Sequence, residues 1–180
     1  MPDGNRKCRI RTRASALSRW QVEWVAGELE SRTGAEVELV PISTRGDEVR
    51  DRSLGALGGT GLFTKEIQRA LVSGEVDVAV HSLKDLPTEV SEATLLAAVP
   101  QRASHADVIV CRSAGGWQQL PERAVIGTGS LRRRAQLWHA REDVQMADIR
   151  GNVETRLRKL HDGEFDAIVL AEAGLTRLGL

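Results

Sequence analysis

The stretch "VIGTGSLRRRAQL" (residues 125–137) runs from a short apolar segment through Gly127 and Gly129 into a row of good helix formers. Val and Ile favour an extended, pleated backbone, whereas Leu, Arg, Ala and Gln favour a helix. Ser130, just before the helical letters, is a preferred N-cap residue. The stretch therefore reads as strand, glycine turn, helix, with the strand over 124–126 and the helix over 130–141. The same unit recurs on both sides of it.

Downstream, the pattern predicts a strand over 145–149, a helix over 153–161 and a strand over 167–170. Upstream lies a strand over 108–111. Nearer the N-terminus, a strand over 9–12 leads into a helix over 15–32, with Leu17, Trp20, Trp24, Val25 and Leu29 largely on one face. A strand over 37–42 follows, then a helix over 64–73 stopped by Gly74, then the alternating run "VDVAV" at 76–80. The Gly-rich, charged segment 43–61 is too long to be a plain connector. Alternating β and α elements imply an α/β fold with largely parallel sheets. "PQRASHAD" (residues 100–107) breaks the alternation. It divides the chain into a first α/β lobe over 1–99, a hinge over 100–106 and a second lobe over 107–180, with a cleft expected between the lobes.

Composition narrows the function classes. The 180 residues are 41% hydrophobic and 28% charged, the balance of a globular chain rather than a disordered one. A formal net charge of zero argues against a general nucleic-acid binder. No apolar run approaches the roughly 20 residues that span a bilayer. Residues 1–9 are polar and show no secretory h-region, so a cytoplasmic protein is expected. Cys8 and Cys111 stand far apart, without metal-ligand spacing, and read as reduced thiols; no metal site is expected. The cations are 21 Arg against 4 Lys. Mutational bias in the genome accounts for much of such an excess, so only the placement of particular arginines argues function. Where that placement is right, the planar guanidinium grips carboxylates in a bidentate way.

Ligands of open α/β sheets bind beyond the carboxyl ends of the strands, and four donor-rich clusters fall there. "TRAS" contributes Arg13 and Ser15. "HSLKD" contributes His81, Ser82, Lys84 and Asp85. "GTGSLRRR" contributes Thr128, Ser130, Arg132, Arg133 and Arg134 at a helix N-terminus, where free amides favour anions and the helix dipole disfavours cations. "DIRGNVETR" adds Arg150, Asn152 and Arg156. Three arginines in a first helical turn point to an anionic ligand, although a solvated basic helix fits the letters too. The loop is not a P-loop, because the Gly-Lys-Ser/Thr spacing is absent. Taken together, the clusters suit a polyanionic small molecule. Asp85, a carboxylate among donors, suits a ligand N–H or a developing cation. By itself, "HSLKD" reads more readily as surface charges, Lys84 and Asp85, at a strand end with His81 a satisfied neighbour.

The segments "RTRASAL", "TRGD", "GLFTKEI", "GEVDVAVHSLKDLPTE", "VIGTGSLRRRAQL", "RGNVETRLRKL" and "GEFDAIVLAEAGLTRLGL" resemble, in order from residue 9 to 180, the porphobilinogen deaminases, also called hydroxymethylbilane synthases. The resemblance implies a cytoplasmic, monomeric transferase of tetrapyrrole, porphyrin and heme biosynthesis. Such enzymes join four porphobilinogen units head to tail, with release of ammonia, on a covalently attached dipyrromethane primer. It implies two lobes resembling type II periplasmic binding-protein domains and a third domain that carries the primer on a cysteine. The partners it implies are porphobilinogen and linear bilane intermediates, with no nucleic acid and no membrane.

By resemblance, Asp85 is the catalytic carboxylate. Arg13, Ser15, Ser82, Lys84, Thr128, Ser130, Arg132, Arg133, Arg150, Asn152, Arg156 and Arg177 would hold the acetate and propionate groups of substrate and cofactor. The sequence departs from the family at Ala56 and Thr60, where lysines are usual. Arg11, Ala14, Gly129 and Glu172 also differ from the usual residues. It stops at "GLTRLGL", so the primer-carrying domain, its attachment cysteine and the strand returning to the first lobe are expected to be absent. Neither Cys8 nor Cys111 matches that cysteine. The alternatives are a non-catalytic binding module for pyrrole or tetrapyrrole carboxylates, and a decayed paralogue.

Overall fold

The computed structural model describes residues 7–12, 15–41, 61–88 and 91–180. The chain divides into two compact units, Met1–Pro100 and Gln101–Leu180.

In the first unit, β1 (Cys8–Thr12), β2 (Val37–Pro41) and β3 (Val78–Ala79) form a parallel sheet in the order β2-β1-β3. The central strand pairs Cys8 with Val37 and Thr12 with Pro41 on one side, and Ile10 with Val78 on the other. Helix α1 (Ala16–Thr33) starts where the Ser15 hydroxyl accepts the Ser18 amide. It stops at Gly34, whose φ of 69° lets its amide reach the Glu30 carbonyl. Helix α2 (Gly61–Val72) buries Ile67 and Ala70.

The buried face of α1 differs from the one its spacing predicts. Val22 and Ala26 are buried, with Val25 and Leu29 packed around them, over Ile10 of β1. Trp24 is 39% exposed and stacks on Trp20, with centroids 6.4 Å apart and planes 3° from parallel. Small side chains at 22 and 26 let the helix approach the sheet closely. The two indoles shield each other at the rim instead of entering the core.

The second unit holds β4 (Asp107–Cys111), β5 (Val125–Gly127), β6 (Gln145–Ala147) and β7 (Ala167–Ala171), in the order β4-β7-β5-β6. β5 runs parallel to β6 and β7, but β4 is antiparallel to β7, with Asp107 opposite Ala171. Residues 112–124, between β4 and β5, contain a single 3-10 turn, Trp117–Gln119, and no crossover helix. A parallel return needs such a crossover, so the expectation of a largely parallel sheet fails at this strand.

β7 is buried on both faces. Ala167 and Val169 join Leu120, Ala124, Ile126 and Val144 on one side, while Ile168 and Leu170 join Ile149, Leu160 and Phe165 on the other. This explains its unbroken apolar run. Each large aliphatic side chain there contributes about 1.5–3 kcal/mol. Helices α3 (Leu131–Ala140) and α4 (Val153–His161) connect the strands, and α5 (Glu172–Leu178) follows β7 directly. Gly127 is packed so closely that an added Cβ would lie 3.0 Å from the Phe165 ring and 3.1 Å from Ile168. Asp166 ties the middle of the sheet to its edge: one oxygen accepts the Val125 amide and the other an Arg112 N–H, both at 2.9 Å.

Candidate functional site

The turn after β5 is built around Thr128, which is 1% exposed. Its amide donates to the Ala147 carbonyl at 2.9 Å, and its Oγ1 accepts the Ser130 amide at 3.2 Å. Ser130 then caps α3 by accepting the Arg133 amide at 3.4 Å. The chain thus reverses from strand to helix over three residues, held by two hydroxyls.

The three arginines that follow are not alone. Arg132 and Arg133 each donate to one oxygen of Asp107, at 2.8 and 2.6 Å, and Arg134 donates to Asp148 and to the Thr128 carbonyl. Carboxylates of the protein therefore offset part of the helix-dipole penalty that an external anion was expected to offset. One donor is left over: Arg133 Nη1 reaches the Val169 carbonyl at 3.1 Å, but its Nε is buried and has no hydrogen-bond partner among the described residues. A buried donor of this kind is costly unless something outside the protein accepts from it.

The turn after β6 supplies the neighbouring groups. Asn152 caps α4 by accepting the Thr155 amide at 2.9 Å. Gly151 has φ of 114°, and a Cβ there would sit 2.7 Å from the Thr155 methyl, so only glycine fits. Arg156 donates through Nε to the Gly151 carbonyl at 2.7 Å. Burial, and then the charge of Arg133, hold its guanidinium below its ordinary range. Arg150 is exposed and has no ion pair among the described residues. Arg177 lies farther along the chain, in α5.

In the first unit, β3 ends at Ala79, and Leu83–Asp85 form a 3-10 turn. Lys84 and Asp85 are exposed, and the Asp85 carboxylate accepts no hydrogen bond among the described residues. Ser82 exchanges hydrogen bonds with Gln21 of α1, at 3.0 and 3.3 Å, which anchors the chain just before Asp85. Ser15 is the α1 N-cap. Arg13 lies outside the described residues, as do Ala56 and Thr60.

Residues 8–180 match the family model described as porphobilinogen deaminase, dipyromethane cofactor binding domain. The porphobilinogen deaminase of Xanthomonas axonopodis pv. citri (strain 306) is 56% identical over 96% of this chain and 57% of its own length. That of Pelobacter propionicus is 52% identical over 97% of this chain and 56% of its own length. The chain belongs to the porphobilinogen deaminase family. It spans a little over half the length of these relatives. Among solved structures, an ancestral arginine-binding protein bound to arginine superposes with a TM-score of 0.50. The match covers 98% of this chain and 74% of that one at 15% identity, a likeness of fold.

The family model is that of a dipyrromethane-binding domain, and the residues present fit such a group. A linear pyrrole with several carboxylates matches a buried Arg133 Nε that lacks an acceptor among the described residues, with Arg156 beside it. Cys8 packs against the core of the first unit and Cys111 against that of the second; burial pushes both thiols up, with Asp77 adding to the effect at Cys8.

Two residues escaped the sequence reading. Gln21 lies within the apolar spacing of α1, and Asp107 is a lone carboxylate at the start of a strand. Neither carries a motif, and only the fold shows what they hold.

Proposed function

We propose that this chain supplies the pyrrole-binding part of a cytoplasmic, monomeric porphobilinogen deaminase, a transferase that condenses four porphobilinogen units head to tail with release of ammonia. The observation that carries the reading is Arg133: a mostly buried guanidinium whose Nε has no partner among the described residues, beside Arg156, within a chain that matches the family over residues 8–180.

In this reading Arg132, Arg133, Arg150, Arg156 and Arg177, with Thr128, Ser130 and Asn152, receive the acetate and propionate groups of substrate and bound dipyrromethane. Dipyrromethane, when bound, supplies the pyrrole carbon to which the first substrate ring is joined. In the first unit, Arg13, Ser15, Ser82 and Lys84 hold further carboxylates. Asp85 faces the reacting pyrrole. As the aminomethyl C–N bond of porphobilinogen breaks and ammonia leaves, positive charge spreads into the ring. The Asp85 carboxylate, without a hydrogen bond among the described residues, accepts the ring N–H and stabilises that charge. Gln21 and Ser82 steady the segment on which Asp85 stands.

The test is to incubate the full-length protein with porphobilinogen and follow ammonia release and hydroxymethylbilane formation. Both are expected in a ratio of four ammonia to one bilane. Porphobilinogen recovered unchanged would contradict the proposal.

A further inference from the structure

Asp107 has no role in the reading above, yet it is the group that fixes the arginine cluster. Its carboxylate divides between two consecutive arginines of α3, Oδ2 to Arg132 Nη2 at 2.8 Å and Oδ1 to Arg133 Nη2 at 2.6 Å. The strand start that carries it is itself anchored. The Glu172 amide donates to the Ala106 carbonyl at 3.0 Å, the Ser104 hydroxyl donates to the Glu172 carboxylate, and the Ala106 amide donates to Ser104 Oγ at 3.2 Å. Asp107 is therefore held from β4 and α5 while it grips α3.

The consequence falls on Arg133. Asp107 takes Nη2 and the Val169 carbonyl takes Nη1, so the far end of the guanidinium is fixed by two protein acceptors. Only Nε remains, buried and without a partner among the described residues. A guanidinium pinned at two nitrogens has little rotational freedom left to lose when a ligand arrives, which is how a prearranged donor gains affinity. The same carboxylate supplies the negative charge nearest to Arg133, whose like-charged neighbour Arg156 would otherwise repel it.

From this geometry we infer that Asp107 is a positioning residue, which holds Arg132 and Arg133 so that Arg133 presents Nε to a ligand carboxylate. The inference rests on the proposed binding of porphobilinogen carboxylates by these arginines. It assigns to Asp107 an effect on binding rather than on the bond-making step. The opposite role, a built-in carboxylate that competes with the ligand for the arginines, predicts the opposite change.

The experiment compares the full-length protein with Asp107→Asn and Asp107→Glu, measuring kcat and KM for porphobilinogen together with thermal unfolding. Asp107→Asn should raise KM about tenfold and leave kcat within about twofold. Asp107→Glu, which restores the charge, should return KM to within about threefold of the unsubstituted protein. Should Asp107→Asn not fold, Asp107→Ser, smaller and equally neutral at this edge position, takes its place with the same expected change. An unchanged or lowered KM in the neutral variant, or a fall in kcat alone, overturns the inference while leaving the functional proposal standing. A KM raised equally in Asn and Glu variants also overturns it. If the unsubstituted protein does not consume porphobilinogen, the functional proposal falls, and this inference falls with it.

Discussion

Arg156 stands close enough to Arg133 for the two charges to disfavour each other. Burial first, and the Arg133 charge second, keep the Arg156 guanidinium below its ordinary range. Two cations forced together in a partly buried place are unfavourable for folding and favourable for binding an anion. Replacing either one by Leu should therefore weaken binding of porphobilinogen by about 1.5–3 kcal/mol, the size of a charge-assisted hydrogen bond. Folding stability should change much less in Arg156→Leu, whereas Arg133→Leu also removes the hydrogen bonds to Asp107 and to the Val169 carbonyl and should cost stability as well. Titration calorimetry and thermal unfolding on the same variants check both halves; affinity undiminished from that of the unsubstituted protein in both Arg133→Leu and Arg156→Leu would show a solvated basic face instead.

A second expectation concerns acid. The Val125 amide, and then Arg112, hold the Asp166 carboxyl below its usual range. The unfolded chain, with an Asp near its ordinary value of about 3.9, then binds the proton more readily than the folded one. The stability Asp166 contributes is fully present above that value and is lost as pH falls through the lower folded value. Asp166→Asn should lower stability at pH 7 by about 1–3 kcal/mol, as loss of a hydrogen-bonded charged partner does. Its deficit against the unsubstituted protein should shrink below about pH 4. A deficit independent of pH in denaturant titrations would contradict this account.

Gly127 tests the packing of the second unit. A methyl group there meets Phe165 and Ile168 inside ordinary contact distance. Gly127→Ala should therefore destabilise the protein by about 1–3 kcal/mol. The paired change Gly127→Ala with Phe165→Leu should recover part of that loss. Chemical denaturation measures both, and a neutral single variant would mean that Phe165 shifts freely.

Much of this architecture was legible in the letters, because each stretch obeyed one local rule. Val125–Gly127 followed by Ser130 gave strand, turn and capped helix, and residues 153–161 matched α4 end to end. The misreadings arose where long-range packing decided. The tryptophans of α1 lie at the rim because Val22 and Ala26 set the distance to the sheet. β4 runs antiparallel because the chain after it has no crossover helix. α5 went unread because its seven residues carry no N-cap side chain. In the site, the arginines were visible by type and spacing, but their partners were not. Asp107 is 25 and 26 residues away from Arg132 and Arg133, and nothing local announces the contact.

The proposed stabilisation of charge by Asp85 is tested most directly by the turnover of Asp85→Asn. The residue is exposed in a 3-10 turn and its carboxylate accepts no hydrogen bond among the described residues, so the neutral variant should fold with unchanged stability. Ammonia release from porphobilinogen, measured in parallel for the full-length protein and for Asp85→Asn, should fall by about two to three powers of ten, the scale seen when one central electrostatic stabiliser is removed. Turnover within a few-fold of the unsubstituted protein, in a variant that is folded, would contradict the account.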